Sequence, residues 1–229
     1  MFRELKRIWA EKAFTSRIVE EFSSKLGSSE EMLSYALKVL TRKGKAKNFQ
    51  ENIYIKDQKI NITEQEIRKR ILIRLSTSPG GNVPACLVLI SIAKDAERLG
   101  DYVKNIFELS NMVFRDFKKG EKLFDYLFEE IGNDVKNLFK TVNIAFKNSD
   151  TELALEVSAK ARDISKQCEN IITKVVKSDY SADQAVVLTL GARYLKRIAL
   201  HLSNIASSIF LPMPEMDYIK GGFTMKKDK

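Results

Sequence analysis

Proline and glycine are scarce in this chain, with four and ten occurrences in 229 residues. So few breakers exclude a fold of many short strands and tight turns, and favour a small number of long helices. Cysteine is scarcer still. Cys86 and Cys168 stand far apart with no CxxC spacing, and they read as reduced, packed thiols rather than a bridge. Histidine occurs once, as His201, so neither a histidine-based metal centre nor a Ser-His-Asp arrangement is expected. No Gly-x-x-x-x-Gly-Lys-Ser/Thr phosphate loop is present. The longest apolar run, VPACLVLISIA at 83–93, falls short of the roughly 20 residues that span a bilayer. The opening MFRELKRIWAEK carries charge throughout and lacks a signal-peptide core. Together these absences lead to the expectation of a cytoplasmic protein.

What is present describes an ordinary globular chain, 44% hydrophobic and 30% charged. The net charge of +9 is partly local, in RKGKAK at 42–47, IRKRILIR at 67–74 and KKDK at 226–229. Nucleic acid, an anionic membrane face or a phosphate-bearing ligand would each suit such charge. No aromatic-interleaved stripe or nucleic-acid motif accompanies it. Most of it therefore reads as lysines solvating long helices, and a basic nucleic-acid-binding protein is the alternative function rather than the expected one.

Helical periodicity runs almost from end to end. Leu123, Leu127, Ile131, Val135, Leu138, Val142 and Ala145 recur at spacings of three and four, one face of a helix. STSPGGNVP at 76–84 is the clearest break, followed by KKGEK at 118–122, KNSDTE at 147–152 and KSDYSADQ at 177–184. These breaks predict long helices near 11–46, 49–76, 83–118, 121–148, 150–178 and 181–211, with a short amphipathic N-terminal helix before them. In SSEE at 28–31, Ser28 either caps a helix or lies inside one that bends at Gly27. Residues 87–106 and 186–205 match at a constant offset of 99, with Val88/Val187, Leu89/Leu188, Ala93/Ala192, Arg98/Arg197, Asn105/Asn204 and Ile106/Ile205 identical. The Arg and Asn matches are what apolar patterning alone does not supply. The expected fold is all-α: two tandem three-helix bundles, over 1–118 and 119–212, then a flexible tail over 213–229.

The stretch DAERLGDYVKNIFEL at 95–109 sets Glu97 and Asp101 four residues apart on one helix face, where like charges repel. Asp57 and Asn61 share the same spacing on the preceding helix. If the two helices pack side by side, four oxygen-bearing side chains can face one another, which suits a cation. On the residues alone the commoner reading is of polar positions on a solvated face, with Lys94 and Arg98 as charge partners.

The run Glu97-Arg98-Leu99-Gly100-Asp101, followed by Asn105-Ile106, resembles the third-helix signature of the PhoU family of phosphate-uptake regulators. DQKINITEQEIR at 57–68 is similar to that family's second-helix run, and the tandem three-helix pattern extends the resemblance over nearly the whole chain. The resemblance implies a non-enzymatic regulator, a homodimer, which contacts a membrane phosphate transporter or its linked sensor histidine kinase. It also implies a surface metal site at Asp57, Asn61, Glu97 and Asp101, with Arg98 and Asn105 beside it. Iron or zinc is the metal by resemblance, and oxygen-only ligands suit manganese or magnesium too. Asn61 stands where an Asp is usual. In the second unit Lys196 and Leu200 replace the Glu and Asp, and Gln167 replaces the partner of Asp163, so one cation site is expected, not two. A di-metal carboxylate enzyme is the weaker alternative, because the chain has no Glu-x-x-His.

Overall fold

The computed structural model describes residues 12–41, 50–77, 83–112, 117 and 121–217. The expected N-terminal helix before residue 11, the basic 42–47 segment and the 226–229 tail lie outside the described residues. Six long helices make up the architecture. We number them α1 (Lys12–Leu40), α2 (Gln50–Thr77), α3 (Val83–Leu109), α4 (122–148), α5 (Thr151–Val176) and α6 (Ala182–Phe210). No strand occurs among the described residues.

Local chemistry sets the helix ends. Asp150 caps α5, its Oδ1 accepting from the Leu153 N–H at 3.1 Å, after Ser149 turns left-handed at φ 51°. Ser181 and Gln184 form a capping box at the start of α6. α1 runs unbroken through Ser28 and Ser29, so that serine pair is helix interior and no cap. α3 stops at Leu109 rather than continuing to 118. Ser110, Asn111 and Met112 tighten into three-residue turns, and the Ser110 hydroxyl donates to the Phe107 carbonyl at 2.6 Å.

Neighbouring helices run antiparallel. The pairs Arg70–Glu21 and Lys56–Glu31 tie α1 to α2, Lys104–Asp57 ties α2 to α3, and Lys160–Asp134 ties α4 to α5. The two three-helix units, α1–α3 and α4–α6, join through their repeat-related helices: α3 lies along α6 and α1 along α4. Phe22 meets Phe146 at 4.7 Å across the α1–α4 contact. One hydrophobic core runs through both units. Only Val83, Pro84, Leu87 and Arg98 of α3 are exposed, and only Ala182, Val186 and Arg193 of α6. These two helices are the buried centre of the molecule.

α4 differs from expectation in one detail. Residues Tyr126–Ile131 form a π-helical turn inside it. The extra residue per turn lets Phe124, Leu127, Phe128, Ile131 and Gly132 all face inward. Phe128 then lies against the backbone of Gly191 in α6, where an added Cβ would overlap its ring and come within 2.6 Å of its Cε1. The chain does not end its packing at residue 212: the 3₁₀ turn Met213–Glu215 follows, and Met216 is 4% exposed. The first residues assigned to the tail are thus part of the folded body.

Gly191→Ala should cost roughly 1–3 kcal/mol despite the better helix propensity of alanine, because the 1%-exposed Phe128 ring has nowhere to retreat. Urea unfolding of the two proteins checks this, and equal or greater stability of the alanine variant would contradict the close packing.

Candidate functional site: a charged seam in the first unit

The four oxygen-bearing residues singled out by spacing do lie along one seam, where α2 packs antiparallel on α3. Gly100 makes the approach possible: a Cβ there would stand 3.3 Å from Ile60 Cδ1 and 3.4 Å from Asp57 Oδ1. Asp57 is 7% exposed, and Glu97, Asp101 and Asn61 are half-buried.

Each acid faces a base. Lys104, one turn beyond Asp101, donates from Nζ to Asp57 Oδ2 at 2.9 Å and stands 3.5 Å from Asp101 Oδ1. Arg98 Nη1 reaches Asp101 Oδ2 at 3.6 Å. Lys94 donates to Glu97 Oε2 at 2.7 Å, and Arg98 Nε lies 3.9 Å from that same oxygen. Burial pulls the Lys104 ammonium down, but hydrogen bonds and charge from Asp57 and Asp101 outweigh it and hold its pKa above the ordinary lysine value. Asn105 is half-buried on the same helix.

As they stand, these side chains do not make a cation site. Among the described residues no three carboxylate, imidazole or thiol groups gather closely enough to hold an ion. Asp57 Oδ1 and Asn61 Oδ1, both from α2, are buried without a hydrogen-bond partner. Hard cations of the magnesium and calcium type take six or more oxygens. In the second unit Lys196 instead pairs with Glu169 across the α5–α6 contact, Asp163 is exposed, and Gln167 accepts from the Tyr126 hydroxyl at 3.1 Å.

The seam continues to Lys25 of α1, which sequence patterning did not single out. It is 4% exposed, and its Nζ has no hydrogen-bond partner. Burial pulls its pKa from 10.5 to about 8, against the opposing pull of Glu64 and Glu97. Arg68 Nη2 stands 2.7 Å from Glu64 Oε1 as an ion pair outside good hydrogen-bond geometry.

A second polar cluster, also missed from sequence, joins the two units. Asp95 of α3 is buried, with His201 Nδ1 2.7 Å from its Oδ1 and Asn204 Nδ2 donating to the same atom at 3.3 Å. His201 also stacks on Tyr102, with ring centroids 5.6 Å apart. The single histidine is therefore a half-buried cross-unit contact. Cys86 and Cys168 are free and buried, as expected; burial raises both thiols, Cys168 to about 12, which leaves them unreactive. Within the basic 67–74 segment, Arg68 pairs with Glu64 and Arg70 with Glu21 and Glu66.

An all-helical tandem of three-helix units, with a charge-compensated seam in one of them and no gathered catalytic constellation among the described residues, is the class that fold and site define. The chain belongs to the PhoU family: the PhoU domain matches residues 26–110 and again residues 128–209. The two matches fall on the two units and account for the internal repeat. Among solved structures, the chain is similar to PhoU from Pseudomonas aeruginosa, with TM-score 0.74, 17% identity, and 85% of this chain and 94% of that one covered. It is equally similar to the phosphate transport system regulatory protein PhoU from Streptococcus pneumoniae, with TM-score 0.73, 19% identity and coverage of 85% and 92%. No curated protein matches the sequence.

The Lys25 geometry fixes a pH dependence. Its folded-state pKa lies below its unfolded value, so between about pH 8 and 10.5 the unfolded chain holds more protons and stability rises with pH. Lys25→Met should remove that rise and stabilise the protein at neutral pH by on the order of 1–3 kcal/mol. Denaturant titrations of both proteins across this range measure it; a methionine variant weaker at neutral pH would show that the ammonium is satisfied where it stands.

Proposed function

We propose that this protein is a non-enzymatic regulator of phosphate uptake and phosphate signalling. It acts by docking on a membrane phosphate transporter or on the sensor histidine kinase linked to it. The observation that carries this reading is the double PhoU domain match laid over two packed three-helix units. The neighbour from Streptococcus pneumoniae is described as a phosphate transport system regulatory protein, and the proposal extends that role to this chain. The chemistry on view supports binding over turnover: the lone histidine is held by Asp95, and both thiols are buried. No helix among the described residues is long and apolar enough to cross a membrane; the proposed contact is with a membrane partner, from its cytoplasmic side.

The homodimer surface is proposed on α2 and not on the aromatic segment 123–130 of α4. The aromatics of LFDYLFEE are consumed by the core, with Phe124 7% and Phe128 1% exposed. The outer face of α2 instead presents Ile55, Ile62 and Ile73 to solvent, aligned along one helical stripe. Exposed apolar stripes of this kind mark contact surfaces.

The test is capture of partners from solubilised native membranes on the tagged, full-length chain, read by mass spectrometry. Phosphate-transporter subunits or a sensor kinase should be enriched over an unrelated helical bait of similar charge. The same bait should scatter light as a particle heavier than the 26.2 kDa chain. Absence of both partner classes, together with unchanged phosphate uptake when the protein is deleted from its cells, would remove the reading.

A further inference from the structure

Three carboxylates of the first unit, Asp57, Glu97 and Asp101, face three basic groups, Lys94, Arg98 and Lys104. The patch is neutral as built. We propose that the Lys104 ammonium is a built-in cation that occupies the place between Asp57 and Asp101, so that this protein folds and works without a metal ion at the seam.

The placement carries the argument. Lys104 Nζ touches acids of both helices, at 2.9 Å from Asp57 on α2 and 3.5 Å from Asp101 on its own helix. It performs what a bridging cation would perform: it neutralises a carboxylate that is 7% exposed and ties α2 to α3. A metal ion seeking the same two carboxylates meets the ammonium on Asp57 Oδ2 and Asp101 Oδ1, and Arg98 on Asp101 Oδ2. Glu97 is turned to Lys94. The buried oxygens left without a hydrogen bond here, Asp57 Oδ1 and Asn61 Oδ1, both project from α2, and among the described residues α3 adds none to match them. Adding a divalent ion to a neutral patch would also leave the half-buried seam with excess positive charge. In the second unit Lys196 stands 99 residues after Glu97 and pairs with the exposed Glu169, so a positive charge occupies the place of the first unit's acid.

The inference stands apart from the docking reading, since it is tested on the purified chain with no partner present. Protein purified without chelator is analysed for iron, manganese, zinc and magnesium, and its melting temperature is followed as manganese or zinc is added. The wild type should carry substoichiometric metal, and its melting temperature should not move. Lys104→Met, which keeps the aliphatic stem and removes the charge, should melt lower and then gain on the order of 5–10 °C at about a hundredfold excess of metal over Kd. Asp57→Asn in the Lys104→Met background should abolish that gain. A full equivalent of tightly held metal in the wild type, lost in Asp57→Asn with Asp101→Asn, would overturn the proposal. So would a folded Lys104→Met protein indifferent to metal. If Lys104→Met does not fold, the wild-type metal content and melting response decide the question alone.

Discussion

The contact between α3 and α6 is the constraint from which the rest of the structure follows. Each of these helices must face its own unit on one side and the opposite unit on the other, so each is apolar over most of its circumference. α3 leaves four residues exposed and α6 three. Polar side chains on such a helix survive only where another helix answers them. On the inter-unit side the answer is Asp95 with His201 and Asn204, a buried carboxylate satisfied from across the molecule. On the intra-unit side it is the seam where Glu97, Asp101 and Lys104 meet α2. An unanswered charge in either place would cost several kcal/mol, comparable with the net stability of a domain.

The seam therefore arises from the packing as much as from any ligand. Gly100 brings α2 close enough for Asp57 to be buried, burial demands a counter-charge, and Lys104 supplies it within hydrogen-bonding distance. The outer face of α2 is released from core duty by the same geometry. That is why the exposed isoleucines of the first unit lie there. In the second unit the equivalent helices meet through Lys196 and Glu169, and neither Asp163 nor Gln167 approaches a comparable acidic pair. The two units share a backbone plan and differ in how their charges are balanced.

Much of this was legible in the sequence. The scarcity of proline and glycine, the four breaks and the offset-99 repeat pointed to an all-helical tandem fold, and spacing put Asp57 with Asn61 and Glu97 with Asp101 on shared helix faces, which meet only if the two helices pack side by side. What escaped was Lys104, although Lys94 and Arg98 were named as charge partners of the acids. Lys104 sits three residues after Asp101, a spacing that places them on one face, and that signal was available beside the acids. The Asp95–His201 contact was not available, because it joins residues 106 positions apart and the repeat sets Asp95 against Tyr194. The π-turn left only a trace: Leu123, Leu127, Ile131 and Val135 recur every four residues, slightly longer than the 3.6-residue period, and a wider turn absorbs the drift. The end of α3 at Leu109 depended on serine and asparagine competing for backbone bonds, which periodicity does not register.

The account rests on one pair, Asp57 with Lys104, acting as the native tie between α2 and α3. A double-mutant cycle measures it directly: wild type, Asp57→Asn, Lys104→Met and the double variant, each unfolded in urea with chelator and again with added manganese. The pair should show a coupling energy of about 1–3 kcal/mol in chelator, and added manganese should raise the stability of Lys104→Met alone, because in the wild type the ammonium already bridges Asp57 and Asp101. A coupling near zero in chelator, or a wild type that gains stability from manganese, would contradict it.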